Sequence, residues 1–313
     1  MLNTDKFVEL LIGNGYSHLC VVPCSFAKNL INASINCSNE LEYVPCASEA
    51  IACSVAAGLK ISGAKPIVLV QSSGLTNMGS CITSLLKPYD IKFPIIVSWR
   101  SYKEGDSEIQ HAHLSSELPK LIAAFGYQYE ILDSEKENSA INQINSCENH
   151  FKISVLLKDT FSKVCLDSKH QLNLSKYPKR SEYLSLMDNY FADTETIIVG
   201  TTGNTSREMY SFMPQTKNFY MAGNMGGALS VGLGAYMAQR SVVVCGGDAE
   251  FVMHLGGLTS AARYASSSKY KSLLYIVFDN QMNKSTGGQN TYQDNLDYEK
   301  LTQAAGIKNT RNI

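Results

Sequence analysis

The chain has 313 residues, of which 44% are hydrophobic and 18% charged, and its formal net charge is −1. This composition is typical of a globular protein and excludes a disordered chain, and the near balance of acidic and basic residues argues against a nucleic-acid-binding protein. At roughly 150 residues per domain, the length predicts two domains.

The amino terminus lacks the pattern of a signal peptide, and the longest apolar runs are far shorter than the roughly 20 residues of a membrane-spanning helix. The nine cysteines include no CxxC pair. Several lie in apolar stretches, as Cys53 and Cys245 do, where a free thiol behaves as a small core residue. We therefore expect a cytoplasmic protein without disulfide bonds or cysteine-bound zinc.

In the first half, the spacing of apolar residues predicts strands that alternate with helices. Thr4 is expected to cap a first helix that ends at Gly13 or Gly15. The elements expected after it are strands over Leu19–Val22 and Glu42–Val44, a helix over about Ser48–Ile61, a strand over Pro66–Gln71 broken by Ser72–Gly74, a helix over Asn77–Leu86 and a strand over Pro94–Ser98. This order implies a parallel sheet covered by helices on both faces.

Residues 166–180 lose the apolar periodicity and collect charge, which predicts a linker between a first domain, 1–165, and a second, 181–313. The second half repeats the alternation. Its expected elements are a strand over Thr196–Val199, a polar loop over Thr201–Thr205, helices over Arg207–Phe212 and after Gly223–Gly227, a strand over Ser241–Cys245, a helix over Phe251–Ala265, a strand over Leu273–Phe278 and a helix over Asp297–Ala305. The predicted fold class is α/β, with two doubly wound parallel sheets.

Polar residues follow two strands of the second half. One strand opens into Gly247-Asp248 and the next into Asp279-Asn280. Ligands of parallel α/β sheets bind at the carboxyl ends of strands, and carboxylate and amide oxygens suit Mg²⁺ or Ca²⁺. The same residues also form ordinary turns at strand ends, so the pattern alone leaves both interpretations open.

Two further polar loops precede helices. Thr201–Ser206 offers hydroxyl groups and helix-start amides that suit a phosphate, although such loops are also common helix caps. Gly223–Gly227 does not spell GxGxxG, and a Walker A sequence is absent. These two absences argue against nicotinamide-dependent and P-loop enzymes.

In the first half, Glu49 opens a helix of small and apolar residues, where it is either a buried functional carboxyl or an exposed first-turn acid favoured by the helix dipole. His111 and His113 are two residues apart. They are candidates for metal binding or proton transfer, and they are equally compatible with ordinary loop side chains.

Taken together, the chain resembles the thiamine-diphosphate-dependent enzymes, and among them the decarboxylases of phosphonopyruvate, with those of sulfopyruvate next. The resemblance covers nearly the whole chain. It depends on Glu49, Asp248 and Asn280 in their order, and on these segments: Val22–Ser25, Gln71–Asn77, Ser98–Arg100, Glu108–His111, Thr201–Glu208, Gly223–Gly226, Met253–Gly256 and Ser285–Gln289.

The resemblance implies a pyrimidine-binding domain followed by a diphosphate-binding domain that is shortened at its carboxyl end. Asp248, Asn280 and the backbone carbonyl of Met282 would bind Mg²⁺. Glu49 would hydrogen-bond the aminopyrimidine ring and promote its tautomerisation, and Met225 would bend the cofactor. The residues expected to contact the cofactor are Thr201, Thr202, Gly203, Ser206, Asn224, Met225, Gly247, Asp248, Ala249 and Asn280.

The resemblance further implies catalytic roles for Glu49 and His111 and substrate contacts from Ser25 and Arg100. The expected reaction is the Mg²⁺-dependent decarboxylation of 3-phosphonopyruvate to phosphonoacetaldehyde and CO₂, in phosphonate (2-aminoethylphosphonate) biosynthesis. In this family the two cofactor-binding halves meet across a subunit interface, so we expect a homodimer or a higher homo-oligomer with active sites at the interface.

Three alternatives accompany this expectation. Sulfopyruvate is the first, because a sulfonate and a phosphonate need similar donors. A non-catalytic paralogue is the second, because Ala249 and Glu250 depart from the family's Gly-Asp-Gly turn and the carboxyl-terminal part is expected to be shortened. A nucleotide-dependent oxidoreductase is the third, although the sequence carries no dinucleotide fingerprint.

Overall fold

The computed structural model describes residues 1–102, 108–175, 177–215, 217–265, 267 and 269–313. Lys176, in the expected linker, lies outside the described residues. The chain divides into two compact units, Met1–Gln171 with Thr286–Gln289, and Leu172–Ser285 with Asn290–Ile313. Within the described ranges, no helix combines the length and the hydropathy needed to cross a membrane.

The first unit is built on a parallel sheet of six strands. They are β1 (His18–Val21), β2 (Glu42–Pro45), β3 (Pro66–Gln71), β4 (Ile95–Ser98), β5 (Gln128–Ile131) and β6 (Lys152–Leu156). Their order across the sheet is β2-β1-β3-β4-β6-β5, and all neighbours are parallel. The central strands β3 and β4 are almost wholly buried, which explains their continuous apolar sequences.

Helices cover both faces of this sheet. They are α1 (Thr4–Gly13), α2 (Lys28–Asn36), α3 (Glu49–Ile61), α4 (Ser72–Asn77), α5 (Gly79–Cys81), α6 (Ala112–Ala124) and α7 (Glu137–Ser146), with a π-helical turn over Ile82–Leu86. Residues of α1, α2 and α7 share one core with Leu19 and Leu69. Residues of α3, α4 and α6 share a second core with Cys20 and Val68. Because neighbouring strand residues point to opposite faces, the two cores lie on the two sides of the sheet.

The second unit has a smaller parallel sheet in the order β10-β9-β7-β8. Its strands are β7 (Ile197–Gly200), β8 (Phe219–Tyr220), β9 (Val242–Gly247) and β10 (Leu273–Phe278). The short strands β11 (Met282–Asn283) and β12 (Gln289–Asn290) follow.

The helices of the second unit are α8 (Arg180–Phe191), α9 (Asn204–Phe212), α10 (Ala228–Met237), α11 (Asp248–Met253), α12 (Gly256–Ala265) and α13 (Tyr298–Ala304). Leu184 and Met209, from α8 and α9, share a core with Val243. Leu233, from α10, shares another with Val244. The two parallel sheets, each covered on both faces, confirm the predicted fold class.

Several predicted boundaries were wrong. Asn3, rather than Thr4, caps α1 by accepting the backbone N–H of Lys6 at 3.0 Å, and the Thr4 hydroxyl donates to the Ser162 carbonyl instead. Ser72–Gly74, expected to be a break, form the first turn of α4, because serine suits a helix start as well as a turn.

The helix expected over Phe251–Ala265 is two helices, α11 and α12. They are separated at His254 and Leu255, directly before Gly256 and Gly257. Two consecutive glycines weaken a continuous helix at that point. The elements that were not predicted are α2, α6, α7, α8, β5, β6, β8, β11 and β12.

Candidate active site

Glu49 is the first residue of α3, where Ser48 forms the helix cap. The structure resolves the alternatives left open by the sequence, because Glu49 is only 3% exposed. Its Oε2 accepts a hydrogen bond from Nδ2 of Asn77 at 2.8 Å. A Cβ atom at Gly74 would lie 2.4 Å from Oε1, so a glycine is needed beside this carboxyl group.

A second group of polar residues belongs to the same unit. Arg100, just after β4, is 5% exposed, and its Nη1 donates to the Ser25 hydroxyl at 3.0 Å. Nη2 of Arg100 lies 2.8 Å from Oε2 of Glu108, and that oxygen is 3.2 Å from Nε2 of His111. The guanidinium also lies over the Phe26 ring, 4.3 Å from its centroid. Arg100 is therefore a buried cation with a fixed orientation.

Of the two candidate histidines, His111 is buried beside Glu108, whereas His113 is exposed on α6. The two side chains do not share an environment. Residues two positions apart at a helix start point in different directions, which argues against a metal site built on this pair.

In the second unit, β7, β9 and β10 are neighbours, with Gly200 in register with Cys245 and Gly247 with Phe278. Thr201, Asp248 and Asn280 therefore follow the carboxyl ends of adjacent strands, as the sequence predicted for the last two. This is the edge at which ligands of parallel sheets bind.

Two hydrogen bonds, one from a backbone N–H and one from a hydroxyl group, hold the loop after β7 in place. Thr201 N–H donates to the Cys245 carbonyl at 2.8 Å, and Ser206 Oγ donates to the Gly200 carbonyl at 3.1 Å. Thr202 and Gly203 are partly exposed, and Gly203 adopts a φ of 74° immediately before α9. Thr201 Oγ1 is buried without a hydrogen-bond partner among the described residues. A buried hydroxyl without a partner is costly, which suits a site that receives an anionic ligand.

Asn224 and Met225 are exposed in the loop before α10, and Asn224 has a φ of 60°. The structure places an apolar Met225 side chain at the surface of the second unit, 36% exposed, where it is accessible to a ligand.

Asp248 is buried at the start of α11. Its Oδ1 accepts the N–H of Ala249 at 2.9 Å, and its Oδ2 is 3.3 Å from the Thr291 hydroxyl. Burial raises the pKa of the Asp248 carboxyl to about 6, and the nearby Asp279 contributes in the same direction. A buried carboxyl group that resists ionisation, with a second carboxyl group beside it, provides a donor set that fits a divalent cation.

Asn280 and Met282 belong to one turn, in which the Asn280 side-chain oxygen accepts the N–H of Met282 at 3.0 Å. Within the part of the chain that the structure describes, no group of three or more His, Cys, Asp or Glu side chains is placed to hold a metal. A cation at this position would need oxygen ligands of several kinds. Asp248, Asn280 and the Met282 carbonyl supply three such oxygens, and a bound anionic ligand would supply others.

Glu250 is buried beside the Gly246-Gly247 backbone. Its side chain is 3% exposed, and it accepts the Ala228 N–H at 3.3 Å and the Tyr275 hydroxyl at 3.0 Å. The acid that departs from the family pattern therefore connects α10 to β10. Around Gly247, an added Cβ would have only the Phe278 carbonyl oxygen, at 4.0 Å, as a neighbour, so this turn is open to a ligand.

Sequence reasoning missed Asn77, Gly74 and Thr291 as site residues. The segment Gln71–Asn77 is part of the family resemblance, but the contact between Asn77 and Glu49 joins residues 28 positions apart. A signal was present in the unusual choice of glycine and asparagine within a helix.

Comparisons with known proteins identify the family of the chain. Residues 3–121 match the family described as thiamine pyrophosphate enzyme, N-terminal TPP binding domain, and residues 199–312 match its C-terminal TPP binding domain. A sulfopyruvate decarboxylase subunit beta from Methanocaldococcus jannaschii is 34% identical over 42% of this chain and 68% of that protein.

Two relatives match nearly the whole chain. A phosphonopyruvate decarboxylase from Streptomyces viridochromogenes is 28% identical, over 98% of this chain and 81% of its own length. A sulfopyruvate decarboxylase from Methanosarcina acetivorans is 27% identical, over 99% and 84%. The chain covers 44% of one solved structure, Rhodococcus jostii RHA1 thiamine diphosphate-dependent 4-hydroxybenzoylformate decarboxylase, at 15% identity and a TM-score of 0.36, which is too low for a detailed comparison.

The chain belongs to the thiamine pyrophosphate (thiamine diphosphate) enzyme family. Within that family it is a carboxy-lyase, a thiamine-diphosphate-dependent decarboxylase of the phosphonopyruvate and sulfopyruvate type.

Proposed function

We propose that this enzyme decarboxylates 3-phosphonopyruvate to phosphonoacetaldehyde and CO₂, in phosphonate biosynthesis. The observation that carries the proposal is the buried Arg100, which Ser25, Phe26 and Glu108 hold in place. A planar guanidinium binds an anionic phosphonate through two parallel hydrogen bonds. A whole-length relative that is named for this activity adds support.

Sulfopyruvate is the second candidate, because a whole-length relative is named for it and a sulfonate also suits Arg100. The two anions differ in charge, since a phosphonate carries up to two negative charges and a sulfonate one. His111, which contacts the same Glu108 oxygen as Arg100, could provide a second positive charge for a dianion.

We assign the pyrimidine-binding domain to residues 1–165, which include Glu49, and the diphosphate-binding domain to 181–313, which include Asp248, with 166–180 as the linker. When bound, thiamine diphosphate supplies the electron sink for decarboxylation. Asp248, Asn280 and the Met282 carbonyl would hold Mg²⁺, which neutralises the diphosphate. The Thr201 hydroxyl would donate to a phosphate oxygen, and Glu49 would share a proton with a nitrogen of the aminopyrimidine.

We also propose a homodimer or larger homo-oligomer in which Glu49 of one chain serves the cofactor held by Asp248 of another. Exposed apolar residues beside Glu49 support this, namely Ile51 and Val55 on α3, at 46% and 37% exposure. The neighbouring segment Ser72–Leu86 carries no charged residue. Uncharged, partly apolar surfaces of this kind are typical of subunit interfaces. The nine free thiols suit a reducing compartment, so we place the protein in the cytoplasm.

The substrate is tested by comparing kcat/KM for phosphonopyruvate, sulfopyruvate and pyruvate in wild type and in Arg100→Ala. We expect phosphonopyruvate to be the best substrate. Loss of the buried Arg100 cation should lower kcat/KM for phosphonopyruvate and sulfopyruvate by at least about 30-fold, with little change for pyruvate. Arg263→Ala, on an exposed residue of α12, is the matched control. Pyruvate as the best wild-type substrate would refute the proposal.

Cofactor dependence is tested by calorimetric titration of thiamine diphosphate with Mg²⁺. We expect binding that is lost on chelation and in Asp248→Ala. No heat at millimolar cofactor would support the non-catalytic paralogue instead.

Shared active sites are tested by mixing Glu49→Gln and Asp248→Asn chains and allowing subunits to exchange. If each active site takes Glu49 from one chain and Asp248 from the other, half of the randomly formed dimers are mixed, and each mixed dimer has one intact site. About a quarter of all sites are then intact, so the mixture should regain about a quarter of wild-type activity. A mixture that stays as inactive as its components would place both residues of a site in one chain.

A further inference from the structure

Two residues on one face of α4 contact the Glu49 carboxyl group. Asn77 donates from Nδ2 to Oε2 at 2.8 Å. At Gly74, a Cβ atom would lie 2.4 Å from Oε1, 2.5 Å from Cγ and 2.7 Å from Cδ of Glu49. Positions 74 and 77 are three apart and therefore lie side by side on the helix. The same helix face thus contacts both oxygens of the buried acid.

Local structure explains neither residue. Glycine and asparagine both disfavour a helix relative to alanine. Gly74 is not among the residues with positive φ, so its backbone conformation is open to any residue. Asn77 is exposed, yet its amide donates to Glu49 rather than to the nearby backbone. The contact with Glu49 is what these two unfavourable residues have in common.

We infer that Asn77 and Gly74 are positioning residues for Glu49, and that Asn77 sets the orientation of its carboxyl group. An N–H donor at one oxygen sets the rotation of the carboxyl group, so that Oε2 faces Asn77 and Oε1 lies on the Gly74 side. Gly74 leaves the space that Oε1 occupies. The carboxyl group is thereby fixed in orientation before any ligand binds. This inference rests on the role proposed above for Glu49.

The first test is Asn77→Ala, with Asn39→Ala, on an exposed residue of the turn after α2, as the matched control. We expect kcat to fall about 10- to 100-fold, the effect of losing a hydrogen bond to an ionisable group. The KM and the dissociation constant of thiamine diphosphate, measured by calorimetry with Mg²⁺, should change less than about threefold. The near-ultraviolet circular dichroism of the bound cofactor should also change, because it reports the protonation of its aminopyrimidine without turnover.

The second test is Gly74→Ala, which forces the Glu49 side chain to move. Its control is Gly58→Ala in α3, where an added Cβ meets no atom within 4 Å. We expect Gly74→Ala to show the same loss of kcat and the same spectral change as Asn77→Ala, and Gly58→Ala to resemble wild type.

Glu49→Gln, measured alongside, separates two kinds of failure. If Glu49→Gln keeps wild-type kcat, the proposed role of Glu49 is wrong. If Glu49→Gln loses activity but Asn77→Ala keeps wild-type kcat and spectrum, the positioning role is wrong. A fall in cofactor affinity that matches the fall in kcat would also overturn it, because Asn77 would then act in binding.

Discussion

Glu250 offers the sharpest test of how the second unit is held together. Its buried carboxyl group accepts the N–H of Ala228, at the start of α10, and the hydroxyl of Tyr275 in β10. Burial raises the pKa of this carboxyl above its ordinary value. The predicted perturbation is Glu250→Ala, which removes both acceptors while both donors stay buried.

The magnitude follows from the two donors. Leaving a buried donor unsatisfied costs about 1–3 kcal/mol each. Removing the carboxyl group also removes the cost of burying it, which offsets part of the cost of the two unsatisfied donors. We therefore expect the free energy of unfolding to fall by about 2–4 kcal/mol. Glu250→Gln keeps one acceptor oxygen and presents an NH₂ group to the other donor, so it should lose about half as much.

The assay is urea unfolding of the cofactor-free protein, monitored by far-ultraviolet circular dichroism. Trp99 is the single tryptophan and lies in the first unit, so its fluorescence gives a reference for that unit. Glu195→Ala, on an exposed residue before β7, is the matched control and should stay within about 0.5 kcal/mol of wild type. A double-mutant cycle with Tyr275→Phe should give a coupling energy of about 1 kcal/mol.

An Ala variant as stable as wild type would refute this reasoning. It would mean that the cost of burying the carboxyl group equals the contribution of its two hydrogen bonds.

Thr201→Val should leave the stability of the cofactor-free protein unchanged or slightly raised, since the hydroxyl has no partner, while calorimetry shows cofactor affinity about 10- to 100-fold weaker. Glu130, whose pKa is lowered by its hydrogen bonds from Lys152 and Gln143, should stabilise the fold above its unfolded pKa of 4.5 and lose that contribution as pH falls through its lower folded value. Glu130→Gln should therefore flatten the acid limb of stability against pH. Asn32→Ala should destabilise the first unit by about 1–3 kcal/mol in urea unfolding, because it strands the buried Gln289 amide.

Each of these three predictions has a result that would contradict it. Unchanged cofactor affinity in Thr201→Val would mean that the Thr201 hydroxyl does not contact the cofactor. An acid limb as steep in Glu130→Gln as in wild type would assign the slope to other carboxyl groups. Wild-type stability in Asn32→Ala would mean that the Gln289 amide finds another acceptor.

The sequence by itself determined the class of fold and the composition of the second unit's site. Runs such as Pro66–Gln71 and Leu273–Phe278 are apolar and rich in β-branched residues, which suit buried parallel strands whatever the surroundings. Once those strands are parallel neighbours, the residues after them must share one edge, so Asp248 and Asn280 could be brought together without coordinates.

The tertiary structure alone decided where the acidic side chains point. Whether Glu49 is buried, and which residues contact it, depends on α4, whose Asn77 is distant in sequence. In the sequence, Glu250 is only an acid that departs from the family's Gly-Asp-Gly turn, and the positions of Ala228 and Tyr275 show that it stabilises the fold. Local patterns encode backbone conformation through near-neighbour sterics and periodic burial. Side-chain partners depend on packing between distant segments, which no local pattern encodes.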